Sequence, residues 1–117
     1  MELRELVHHL LGHDPLAARQ WVADAERAAL VWRQVARPAG LDEISFALAA
    51  SLAELLAERS GQPAPAWAAE VPAAPSTVYL VRAAELLPRL RALCNEHGPE
   101  PLRRRGFLAP PDFLTIA

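Results

Sequence analysis

No charged residue interrupts the chain between Glu43 and Glu54, and the segment running on to Ala57 is apolar on almost every side. Ile44, Ala47, Leu48, Ser51, Leu52, Leu55 and Leu56 recur at the 3–4 spacing of one helical face. Phe46, Ala49, Ala50, Ala53 and Ala57 fill most of the remaining surface. A helix that is apolar nearly all round has to be covered on most sides. With 117 residues the chain can supply one core. This segment, capped by Asp42 and ended near Ser60 by Gly61, is therefore read as a central helix with the other elements packed around it.

The rest of the chain reads as shorter helices and proline-rich connections. Leu3, Leu6, Val7, Leu10 and Leu11 place a helix over residues 2–11, stopped by Gly12. Asp14 and Pro15 open a second helix. Ala18, Trp21, Ala25, Ala28, Trp32 and Val35 recur every three or four residues, predicting that it runs to about Arg37 with a packing seam. Such a seam permits homodimerisation. Pro63, Pro65, Pro72 and Pro75 exclude a long regular element over 62–76, leaving a turn or two of helix around Trp67. Thr77 to Val81 has strand-like composition but no second such run to pair with, so an extended or short helical segment is expected. A helix over residues 87–96 should turn Leu90, Leu93 and Cys94 inward, with a short helix over 99–105. Gly106-Phe107-Leu108 and Pro110 to Leu114 should lie along the surface, held by their aromatics. The reading is an all-α, compact bundle of about four to five helices, with a Pro-rich connection and a short C-terminal tail. It forms one domain over 1–117, whose segment 98–117 is available as an interaction tail.

Charge and cysteine content narrow the function. The net charge of −2 predicts neither a polyanion binder nor an acid-rich tail. No apolar run approaches the roughly 20 residues of a membrane span, and acids stand near Met1 where a secretory signal needs basic residues. Cys94 is the lone cysteine, which rules out an internal disulfide framework and suits a reducing, cytoplasmic setting. A buried thiol is the reading of Cys94 itself, since no base or Gly-rich turn activates it. No phosphate loop, nucleophile elbow or calcium loop occurs, so no cofactor and no enzymatic activity are expected.

Two clusters carry possible chemistry. His9 and His13, four apart, have the spacing of two metal ligands on one helix, and Cys94 with His97 would complete a site. Gly12 falls between the first pair, and the alternative is exposed histidines at a helix end. Arg103-Arg104-Arg105 makes residues 82–105 locally basic, with six Arg against three Glu. These arginines can contact RNA or another polyanion with Phe107 stacking, bind acidic residues of a partner protein, or close a helix C-terminus. The first two helices have the outline of a helix-turn-helix, but Pro15-Leu16-Ala17-Ala18 stands where a recognition helix needs polar and basic side chains.

Two segments also carry a resemblance. One is the apolar helix from Leu41 to Leu56 followed by Pro63-Ala64-Pro65-Ala66-Trp67; the other is Gly98 to Leu114 with its Leu102-Arg103-Arg104-Arg105 turn. Together they resemble a group of small actinobacterial proteins, some of them similar to antitoxin components encoded beside nucleotidyltransferase-type toxins. The likeness covers residues 41–70 and 98–114. It implies a regulatory protein that acts by binding another protein, with no catalytic residue to carry over. A DNA-binding domain can precede this module in longer members; residues 1–37 do not read as one. The expected activity is protein binding, through a surface of Trp67, Arg103, Arg104, Arg105, Phe107 and Phe113. The alternatives are a nucleic-acid-binding regulator using the arginines and a metal-dependent enzyme using His9 and His13.

Overall fold

A computed structural model describes residues 1–115 and shows an all-α bundle. Its elements are α1 (Leu3–Leu11), α2 (Pro15–Arg27), a 3-10 turn (Trp32–Gln34), α3 (Glu43–Arg59), a second 3-10 turn (Ala66–Glu70), β1 (Val78–Tyr79), α4 (Ala83–Leu86), α5 (Pro88–His97), α6 (Glu100–Arg103) and β2 (Phe107–Leu108). The apolar run does form the central helix: every residue from Ala47 to Ala53 is buried, and α1, α6 and both 3-10 turns pack on α3. Its one buried hydroxyl is satisfied locally, Ser51 Oγ donating to the Ala47 carbonyl at 2.9 Å. The expected caps are present. Asp14 accepts from the Ala17 N–H at 3.1 Å, and Asp42 accepts from the Ser45 N–H at 2.7 Å. No helix among the described residues is long and apolar enough to cross a membrane.

The second helix ends at Arg27, ten residues short of the expected Arg37. Ala29 takes a left-handed conformation (φ 51°), its N–H donates to the Glu26 carbonyl, and the Leu30 N–H reaches back to Ala25. This is a Schellman closure with alanine where glycine is usual. Gln62 then holds the chain beyond it: its amide oxygen accepts from the Trp32 N–H at 2.9 Å and its amide nitrogen donates to the Leu30 carbonyl at 3.1 Å. Trp32 still reaches the core beside Trp21, with ring centroids 6.3 Å apart, but from a turn rather than from a continuing helix. Tertiary contacts override the local period here, and Val35 does not extend a seam.

Two further expectations are corrected near the C-terminus. Val78 and Tyr79 do find a partner: they pair in parallel with Phe107 and Leu108, flanked by Val78 N–H to Gly106 carbonyl (2.8 Å) and Leu80 N–H to Leu108 carbonyl (3.0 Å). Gly106 makes this possible with φ +91°, and a Cβ there would sit 3.3 Å from the Ser76 carbonyl oxygen. The segment after Gly106, expected along the surface, is instead drawn into the core. Leu102, Phe107 and Ala109 are fully buried, and Leu114 is nearly so. Residues 116–117 of the expected tail lie outside the described residues. Gly98 fixes the start of the C-terminal segment, because a Cβ would stand 2.5 Å from the Cys94 carbonyl and 2.7 Å from that of Ala109.

The buried side chains form one large cluster around α3 and one small one. The small cluster holds Ala84, Cys94 and Leu108, with Tyr79 and Leu90 against it. Through it α4 and α5 rest on the body of the molecule. Leu87 is extended between them because a residue before proline is pushed out of the helical region. Arg91 bridges the break: its Nε donates to the Ala84 carbonyl at 3.2 Å, and a second nitrogen donates to that of Glu85.

Two outcomes test these local arguments. Ala29→Gly should stabilise the protein by roughly 0.5–1 kcal/mol, since the left-handed penalty it removes exceeds the added unfolded-chain entropy; urea denaturation reads this directly. The backbone hydrogen bond from Ser45 holds the Asp42 carboxyl below its ordinary 3.8. A lowered folded-state pKa stabilises above the unfolded value and is lost as pH falls through the folded one. The stability difference between the native chain and Asp42→Ala should therefore be full at neutral pH and close below pH 3.8.

Candidate interaction surface

The three consecutive arginines face three different ways. Arg105 points into the molecule and is 4% exposed. Its Nε donates to the Val71 carbonyl at 3.1 Å, one terminal nitrogen donates to the Ala68 carbonyl at 2.7 Å, and the other meets Glu54. Arg104 reaches the second oxygen of Glu54 at 2.5 Å and lies 3.8 Å from Glu100. The hydrogen bond to the Glu54 carboxylate, foremost, holds its guanidinium pKa above the ordinary value. Arg103 donates to the Glu96 carbonyl at 2.6 Å and so closes the C-terminal end of α5. Glu54 is thus one carboxylate shared by two arginines, set into the apolar stretch of α3 from Ile44 to Ala57.

Of the expected contact residues, Arg105 and Phe107 are withdrawn into the protein and offer nothing at the surface. The positive φ of Gly106 and the β1–β2 pairing carry Phe107 inward, and Arg105 follows the carbonyls of the proline-rich segment. Trp67 and Phe113 are half-buried. Trp67 donates from its indole N–H to the Val35 carbonyl at 2.9 Å and stacks on Phe46, with centroids 5.9 Å apart and planes 14° apart. The Arg37 guanidinium lies 4.7 Å from the Phe46 centroid on the same stack. Trp67 is thereby a clamp on the chain around Val35. The turn that carries it also presents the Ala68 carbonyl to Arg105, so the two expected regions are joined internally.

The histidines are not assembled. Helix α1 ends at Leu11, and His13 follows Gly12 with φ 54°, which breaks the one-turn relation to His9. Cys94 is buried, and burial pushes its thiol pKa up, while His97 is exposed on α5. Among the described residues no group of three or more His, Cys, Asp or Glu is placed to hold a metal ion.

A different surface stands out. Along α4 and α5, Leu86 is 81% exposed, Leu87 53% and Leu93 39%. Leu93 was expected to face inward with Cys94; neighbouring residues lie about 100° apart around a helix, and only the Cys94 side of α5 is covered. Arg82 and Arg89 flank these leucines, both exposed, and neither meets a carboxylate among the described residues. The sequence signal for this ridge is faint. Three arginines and four leucines within residues 82–93 read equally well as the two faces of a packed helix.

Comparison of the chain with protein-family models, with curated proteins and with solved structures finds no match.

The arginine geometry predicts unequal consequences of mutation. Glu54→Gln leaves the buried Arg105 charge uncompensated and should destabilise the fold by about 3 kcal/mol in urea denaturation. Arg104→Ala removes an exposed partner of the same carboxylate and should cost less than about 1 kcal/mol in the same measurement.

Proposed function

We propose that this chain is a protein-binding regulator that acts by stoichiometric contact with another protein. The antitoxin-like role implied by its resemblance is the form of that reading we favour. The observation that carries it is the exposure of three leucines on α4, on α5 and at the break between them. Leu86 and Leu87 are adjacent and mostly uncovered, and an apolar patch rimmed by polar residues is the mark of an interaction site. The arginine turn gives the alternative nucleic-acid reading little to work with. Arg103 is engaged with backbone carbonyls, Arg104 with carboxylates and Arg105 with both. Phosphate binding there would compete with contacts that hold the fold. The buried, unactivated Cys94 fits a reducing cytoplasmic setting and a role without covalent chemistry.

Tagged full-length chain, isolated from its own cells and examined by intact mass and ultraviolet absorbance ratio, should carry one near-stoichiometric protein and no nucleic acid. Recovery of the chain alone, or of a complex with nucleic acid that dissociates steeply with salt, would overturn the reading.

A further inference from the structure

We propose that the α4–α5 ridge is the docking surface, and that its occupant is an amphipathic helix of the partner protein whose apolar stripe is bordered by carboxylates. This rests on the protein-binding reading above. Other exposed apolar side chains, Met1, Leu16 and Val31, belong to three separate parts of the chain, whereas Leu86, Leu87 and Leu93 fall on one short helical pair. That pair is already shaped for contact. Arg91 ties the two helices across the Leu87 break, and Cys94 and Ala84 seat them on the body. Little ordering is then required on binding.

Charge selects the occupant. Residues 82–93 hold three arginines and one glutamate, in a chain whose net charge is −2. Arg91 is engaged with backbone, which leaves Arg82 and Arg89, both exposed, as the unengaged cations of this stretch. A second copy docked through the same face would bring like charges together, since a two-fold interface sets the same patch against itself. An anionic membrane is served less well, because Glu85 lies within the ridge and no aromatic residue does. Helix α5 is about 15 Å long, enough for nearly three turns of a partner helix laid along it.

The test places a photo-crosslinking benzoylphenylalanine at position 86, 93 or, as a control on α2, 16, in the full chain expressed in its own cells. One protein should crosslink from 86 and 93 and not from 16. Its crosslinked peptide should read as a helix of leucine-type residues bordered by Asp or Glu. Arg82→Glu with Arg89→Glu, folded by circular dichroism, should cut the yield about tenfold. A protein captured only from position 16 would overturn this assignment while leaving the protein-binding reading intact. Failure to capture any protein would overturn both. Crosslinking to a second copy would overturn it, as would flotation with phosphatidylserine vesicles that Leu86→Asp abolishes.

Discussion

A single buried guanidinium ties the central helix to the proline-rich connection. Arg105 lies between the central helix and the proline-rich connection, and it is satisfied by one carboxylate, Glu54, and two backbone carbonyls, Ala68 and Val71. The arrangement follows from what prolines do to a chain. Pro63, Pro65, Pro72 and Pro75 each remove an N–H and keep a carbonyl, so the segment they populate has more acceptors than donors. A side chain with five N–H groups in a fixed fork supplies the missing donors at one point. Burial of its charge would be prohibitive alone, and Glu54 offsets it. The only acid in the interior of an otherwise apolar helical stretch thus stands where the one buried arginine arrives.

That contact also decides how the apolar material is divided. With Arg105 fixed, Gly106 turns Phe107 into the main core, and Leu108 points to the other side of the β1–β2 pair. Leu108 then gathers Ala84, Cys94, Tyr79 and Leu90 into a cluster too small to cover Leu86, Leu87 and Leu93 as well. The exposed ridge is therefore a consequence of how the chain closes rather than of a loosely packed helix. The backbone of α4 and α5 is well satisfied, and only their outer side chains lack cover.

The helices whose burial is decided locally were legible in the sequence. The apolar run of α3, the leucines of α1 and the caps Asp14 and Asp42 each specify their element through neighbours within a turn. What was illegible depended on distant residues. Ala18 to Val35 keeps a helical period past Arg27, yet a left-handed alanine and the Gln62 amide, 30 residues from Trp32, draw the chain away. Phe107 and Leu108 form too short a run to register as a strand before Val78 is brought alongside. Three adjacent arginines look alike as letters; their different fates are set by the carboxylate and carbonyls that each one meets. Arg105 and Phe107 were placed at the surface for the same reason, since aromatic and arginine content does not tell an anchor inside the fold from one outside it.

The preference for arginine over lysine gains a physical meaning in this light. All 12 basic residues are arginine, a bias that high-GC coding would produce by itself. Yet Arg4, Arg59, Arg91, Arg103 and Arg105 all donate to backbone carbonyls, mostly in turns and at helix ends where regular ladders stop. The planar fork can serve two such acceptors at once, which an ammonium does with less preorganisation. In a chain with 11 prolines and short helices, arginine takes over part of the role of secondary structure. Arg82 and Arg89 depart from that use. They donate to no acceptor among the described residues and lie seven positions apart around Leu86 and Leu87, where two consecutive leucines are also uncovered. The same side-chain chemistry that ties the fold together is there exposed to solvent, beside leucines that the fold also leaves uncovered.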